Sequence, residues 1–137
     1  METDLLNTLV TEAIWRAEEL DALGIQTASA WREVSVLEEE LAKAFPSSEF
    51  EGQIARRGAV RAALRAEEYA RAQSLCDAYL ADADAPAFLK TGLYEILGEA
   101  DREISSRFQH AAKRYSPREV RDLARRFSET GAFSLAA

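Results

Sequence analysis

Apolar residues recur at spacings of three and four along nearly the whole chain, and this periodicity limits the possible folds more than any other feature. An α-helix presents one face at that spacing, whereas a half-buried strand requires strict alternation of apolar and polar residues. No alternation in this sequence lasts long enough to favour a strand. The sequence therefore predicts an all-α protein in which each helix buries one apolar stripe.

The first two stripes predict an acidic helical hairpin in residues 1–46. They span about residues 4–23 and 27–45, and Gly24 between them offers the left-handed conformation that ends many helices. Pro46 stops the second helix because proline lacks the N–H that a helix interior needs. We expect the two helices to pack in an antiparallel arrangement.

Residues 47–85 predict a second, alanine-rich hairpin, with helices at about 49–65 and 67–83. Ser48 and Glu51 have the spacing of a capping box at the start of the first of these helices. That helix also carries a face of small residues, which allows a neighbouring helix to approach closely: Ala55, Gly58, Ala59, Ala62 and Ala66.

Residues 86–131 predict a long fifth helix and a sixth helix, followed by a tail at 132–137. The long helix begins after Pro86 and extends for about 29 residues, or on the order of 43 Å. The stretch "SPREVRDLARRF" contains the residues that typically begin a helix. We expect one domain of six helices, arranged as a helical bundle or a short α-solenoid.

Residues 50–86 resemble a tetratricopeptide-type helical hairpin, although the alternative of a generic helical hairpin stays open. In "ALRAEEYARAQSLCDAYL", Tyr69, Ala72 and Leu80 stand where that family's second helix keeps an aromatic, a small residue and a leucine. Such repeats form solenoids that bind peptides or partner proteins, so the resemblance implies a protein-binding role. Three positions depart from the family's pattern: Arg56 stands where the family has a large aromatic, Ala59 where it has a leucine, and Val60 where it has a glycine.

Charge is unevenly distributed over a chain whose net charge is -7. Residues 1–50 contain 11 acids and 3 bases, and residues 51–100 contain 8 and 6. Only residues 101–137 have an excess of bases, with 8 against 5 acids. Most of the surface would repel a polyanion, which disfavours nucleic acid as the partner except at the C-terminal third.

Several functional classes lack their usual sequence signals. No apolar run approaches the roughly 20 residues that cross a bilayer, and "METDLLNTLV" carries acids where a secretory signal has basic residues. The single cysteine, Cys76, cannot form an internal disulfide. We therefore expect a cytoplasmic protein that has no membrane partner.

Catalytic and cofactor motifs are also missing from the sequence, including G-x-x-x-x-G-K, G-x-G-x-x-G, C-x-x-C and H-E-x-x-H. Cys76 lies within an apolar stripe, where a thiol is typically buried and inert. His110 is the only histidine, so no second one can join it at a zinc ion. We expect no catalytic residue, cofactor or metal, although acids from different helices can still converge in the fold.

Trp15 is the first candidate for binding a partner. It falls nearly opposite the apolar stripe of the first helix, on a face that is otherwise polar. A large rigid aromatic on such a face is a common anchor at protein interfaces. The alternative is that another helix of the same domain covers it.

Two features of the C-terminal third are further candidates. Arg118, Arg121 and Arg125 share one edge of the sixth helix, where they can bind phosphates or an acidic protein surface, or form a solvated charged face. The last three residues are similar to the end of the bacterial tag that marks stalled translation products for an ATP-driven protease: Leu135, Ala136 and Ala137. That similarity implies regulated turnover, and its alternative is a chance match.

The sequence as a whole predicts a non-enzymatic protein–protein interaction module, acting as an adaptor, a regulator or a small subunit of a larger assembly. Its partner is another protein, and a homodimer through the first hairpin is one form this can take. The alternative is a small helical subunit of a nucleoprotein complex that contacts RNA or DNA through the C-terminal arginines.

Overall fold

The computed structural model of the protein describes residues 2–114 together with residues 118, 121, 122, 125 and 126. Within this part of the chain the protein is all-helical and contains no strand, which confirms the predicted fold class. Five helices are defined: α1 Thr3–Ala22, α2 Ala28–Ala44, α3 Phe50–Arg65, α4 Tyr69–Leu80 and α5 Ala87–Arg114. Most of the predicted sixth helix lies outside the described residues.

Helix α3 is the central element of the arrangement. It packs against α2, α4 and α5, while α1 packs against α2. The buried sides of α3 consist almost entirely of small residues, and Ala55, Ala59 and Ala63 have no exposed surface. Small side chains let helix axes approach closely. The small-residue face predicted for this helix is therefore an interface, as the sequence indicated.

Three clusters of buried apolar residues meet at α3, and they form two cores. The first joins α3, α4 and α5, and its largest fully buried side chains are Leu89, Leu93 and Ile96. The second joins α1, α2 and α3 and contains Trp31 and Leu41. Because α3 contributes alanines to both cores, the N-terminal hairpin and α5 are positioned relative to each other through this one helix.

Cys76 lies in the first core with no exposed surface. Burial, with a smaller contribution from the nearby charge of Asp77, raises the pKa of its thiol to about 11. The predicted buried thiol is therefore confirmed, and it packs as a small apolar side chain.

A buried polar network fixes α2, α3 and α4 against one another. The Ser35 hydroxyl donates a hydrogen bond of 2.7 Å to the backbone carbonyl of Ala59 and accepts one of 3.1 Å from the Nε of Arg71. Arg71 also forms an ion pair of 2.7 Å with Glu39. The partners are 24 to 36 residues apart in sequence, so helical periodicity alone could not reveal the network.

The helix ends agree with the sequence at one site and differ at two. Gly24 has a φ of 69°, and the amides of Gly24 and Ile25 bond back to the last turn of α1, as in a Schellman motif. The predicted capping box does not form, because Glu49 is the N-cap of α3 and no side chain caps that helix end. Helix α4 starts later than predicted, since Glu67 ends α3 in the left-handed region with a φ of 59°.

Two helical glycines allow a test of the close packing around α3. A Cβ on Gly52 would overlap the backbone carbonyl oxygen of Pro46, whereas a Cβ on Gly98 would meet only the end of the Arg102 side chain at 3.5 Å. We expect Gly52→Ala to lower the free energy of unfolding by about 1–3 kcal/mol, because overpacking outweighs the better helix propensity of alanine. Gly98→Ala should raise it by about 0.5–1 kcal/mol.

Urea unfolding followed by circular dichroism measures both effects. Equal stabilities of the two variants would contradict the tight contact at Gly52.

Candidate functional site

A groove crosses the face formed by α1, α3 and α5, with residues of α2 at its floor. Its smaller part, a pocket of about 290 Å³ between α1 and α3, is named here the arginine pocket. Its larger part, a cleft of about 630 Å³ that extends toward α5, is named the acidic cleft. The two parts share Trp31, Arg61 and Arg65, so they form one continuous surface.

Three arginines follow one another along the side of α3 that faces the pocket. Arg57, Arg61 and Arg65 are four residues apart, and that spacing places them on the same helical face. Some arginines elsewhere in the described structure are paired with acids, as in Arg71 with Glu39. No carboxylate among the described residues forms an ion pair with the three arginines, here named the arginine row.

Aromatic rings hold two members of the arginine row in place. The guanidinium carbon of Arg65 lies 4.6 Å from the ring centroid of Trp31, and that of Arg57 lies 5.8 Å from the ring of Phe88. The Nε of Arg57 is buried and has no hydrogen-bond partner in the described part of the chain. Stacking restricts the side chains before any ligand binds, which lowers the entropy that binding would remove.

Trp31 is itself oriented by a hydrogen bond across the first hairpin. Its indole Nε1 donates to Asp21 at 3.0 Å, and the same carboxylate accepts a bond of 2.7 Å from the hydroxyl of Thr27. The ring is only 4% exposed and forms part of the groove floor. Residues of α1 and α2 therefore determine where Arg65 of α3 is held.

A buried carboxyl group lies in the arginine pocket. Glu38 is 6% exposed, and burial raises its pKa from 4.5 to about 7. There is room for it because Gly58 faces it on α3: a Cβ on that glycine would lie 2.7 Å from Oε1 of Glu38. A titratable group with a perturbed pKa in a concave site is a recognised indicator of function.

The three consecutive acids of α2 have different environments, as expected for adjacent positions on a helix. Glu38 enters the arginine pocket, Glu39 pairs with Arg71, and Glu40 pairs with Lys43 at 2.9 Å. No motif in the sequence singles out Glu38. Its burial depends on Gly58 of another helix, so local sequence gave no signal for it.

Trp15 is 66% exposed, and within the described structure no helix covers it. The predicted position on a polar face is thus correct, while its role in binding stays a prediction. Glu18, three residues further along α1, lines the acidic cleft. Residues three apart on a helix are neighbours, so Trp15 lies just outside the rim of the groove.

The C-terminal candidates are not part of this groove as far as the structure describes them. Arg118, Arg121 and Arg125 are exposed, and Arg125 pairs with Asp122. The side chain of His110 lies outside the described part. So do the residues of the candidate degradation signal: Leu135, Ala136 and Ala137.

Among the described residues, no group of three or more histidine, cysteine, aspartate and glutamate side chains is arranged to hold a metal ion. Within the same part of the chain, no helix has the length and apolar character required to span a membrane.

No protein-family model, curated protein or solved structure matches this chain. Function is therefore inferred from the contacts, burial and charge of its own residues.

The raised pKa of Glu38 predicts a stability that depends on pH. The native state keeps this carboxyl protonated up to about pH 7, whereas the unfolded chain releases the proton near pH 4.5. Its contribution to the free energy of unfolding is therefore full below pH 4.5 and is lost as the pH rises through about 7. We expect Glu38→Gln to be more stable than the wild type above pH 7, by on the order of 2–3 kcal/mol.

Urea unfolding measured between about pH 4 and pH 8 tests this expectation, since the difference should vanish at the acidic end. Glu40→Gln is the matched control, because Glu40 is exposed and its surface pair contributes little. A Glu38→Gln profile parallel to that of the wild type would contradict the assignment.

Proposed function

We propose that this chain is a non-enzymatic protein–protein interaction module, an adaptor, regulator or small subunit, whose partner binds in the groove across α1, α3 and α5. One observation carries the proposal: the arginine row lines an apolar pocket without an acidic partner among the described residues. Unpaired guanidinium groups beside apolar surface are typical of binding sites, where arginine is enriched.

The composition of the pocket supports binding over catalysis. Its described lining contains one carboxyl, three guanidinium groups and otherwise apolar side chains, without a serine, cysteine or histidine to act as nucleophile. Cys76 is enclosed in the other core, where burial raises its pKa to about 11. These groups are suited to holding a ligand.

Trp15 extends the proposed surface. A partner that lies in the groove and passes over the rim at Glu18 would reach the exposed indole. The tetratricopeptide-like resemblance of residues 50–86 points to the same class of function and stays a proposal. So do the cytoplasmic location, the homodimer through the first hairpin, and the degradation signal at the C-terminus.

An affinity pull-down with quantitative mass spectrometry tests the proposed function. We expect Arg61→Glu and Trp15→Ala each to reduce recovery of the specific partner at least about fivefold, because truncation or reversal of an interface anchor weakens binding by 1 kcal/mol or more. Arg102→Glu is the matched control, since it makes the same charge change on an exposed part of α5.

The result separates the two surfaces. Unchanged recovery with Trp15→Ala alone removes Trp15 from the interface, and unchanged recovery with both variants contradicts the proposal.

The nucleoprotein alternative rests on exposed bases near the C-terminus. Arg118, Arg121, Arg125 and Arg126 are all exposed. If they bind phosphates, the affinity for single-stranded RNA or DNA should fall steeply with salt, and replacing Arg118 and Arg121 by alanine should flatten the slope by about 1 per arginine. Fluorescence anisotropy with labelled oligonucleotides measures this slope, and no detectable binding at low salt would exclude the alternative.

A further inference from the structure

The arginine pocket differs in charge from the protein that surrounds it. The chain has a net charge of -7, yet α3 contributes four arginines and a single glutamate. Three of those arginines line the pocket, and its one carboxyl, Glu38, lies at the buried floor. The pocket therefore presents three guanidinium groups that an acidic ligand would meet.

The pocket also offers apolar surface of limited size. Ile14 of α1 and Ile54 of α3 both line it, and Ile54 remains 48% exposed. Its volume of about 290 Å³ lies just below the range of about 300–1,000 Å³ that is usual for small-molecule sites. That volume suits one apolar side chain of a partner better than a cofactor.

The arginine row has a regular spacing along α3. Positions four apart on α3 are separated by about 6 Å along the helix axis. Carboxylates two residues apart in an extended peptide are separated by nearly the same distance. Each guanidinium group can then bind a carboxylate through two parallel hydrogen bonds.

The acidic cleft disfavours a nucleic acid, compared with a protein segment, as the ligand of the groove. Five acids line this continuation of the groove: Glu18, Asp21, Glu67, Glu99 and Glu103. A nucleic acid strand that followed the groove beyond the arginine row would bring its phosphates toward these carboxylates. A protein segment avoids this repulsion because its acidic residues can be limited to the length of the row.

We propose that the arginine pocket binds an acidic segment of a partner protein, with one apolar side chain in the pocket and neighbouring carboxylates against Arg57, Arg61 and Arg65. This inference rests on the proposed protein-binding function and specifies the chemistry of the partner. Arg61 is the central contact, because it is the middle member of the row, is exposed and lines both parts of the groove.

Selection from a random peptide library displayed on phage tests the inference without a known partner. The full chain is used as bait, and Arg61→Glu and Arg102→Glu are run in parallel as the pocket variant and its matched control. We expect wild-type binders to be enriched in aspartate and glutamate around one apolar residue. This enrichment should persist with Arg102→Glu and be lost with Arg61→Glu.

Fluorescence anisotropy on a selected peptide gives the size of the effect. We expect Arg61→Glu to weaken binding at least tenfold, and a matched peptide with glutamine in place of its acids to lose a similar amount. Ile54→Asn should also weaken binding, by removing part of the apolar wall. Circular dichroism of each variant verifies that it folds.

Other outcomes overturn the inference in distinguishable ways. If the selected peptides require the groove but are neutral or basic, the proposed acidic partner is refuted while the proposed protein-binding function is not. Binders indifferent to Arg61→Glu, or no binders at all, would refute the site. If a single-stranded oligonucleotide binds more tightly than the peptide and its binding depends on the arginines, the partner is a nucleic acid and not a protein. If Arg61→Glu changes the oligomeric state, the occupant of the groove is a second copy of this chain.

Discussion

Close contact between α3 and its neighbours is the constraint on which the rest of the structure depends. Alanines fill its buried sides, so α2, α4 and α5 can all pack against the one helix. Gly52 and Gly58 also permit close contact. A side chain at position 52 would collide with Pro46, and one at position 58 would collide with Glu38. Since α3 belongs to both cores, small residues at its interfaces set the positions of α2, α4 and α5.

The same helix supplies the candidate site. Its buried sides are apolar and small, while its remaining side carries the arginine row, which faces the groove that α1 and α5 complete. Trp31, held by Asp21, and Phe88 at the start of α5 provide the rings on which Arg65 and Arg57 stack. Packing and function are linked here, because the contacts that place α3 also place its arginines.

The burial of Glu38 lowers the stability of the protein at neutral pH and places a carboxyl group in the candidate site. A carboxyl that is 6% exposed and has its pKa raised to about 7 by burial is destabilising at neutral pH. The opposing arginines do not form an ion pair with it within the described structure, although they line the same pocket. Natural proteins commonly retain such destabilising groups where function requires them.

Sequence by itself determined the all-α class, the approximate helix boundaries, the small-residue face of α3, the buried Cys76 and the position of Trp15 on the polar face of α1. These follow from 3.6-residue periodicity, which is a local property of the chain. Tertiary structure alone decided that Glu38 enters a pocket over Gly58, that Ser35 joins three helices, and that the arginine row faces a groove. Those features depend on which distant helices meet, and periodicity carries no information about the partner of each face.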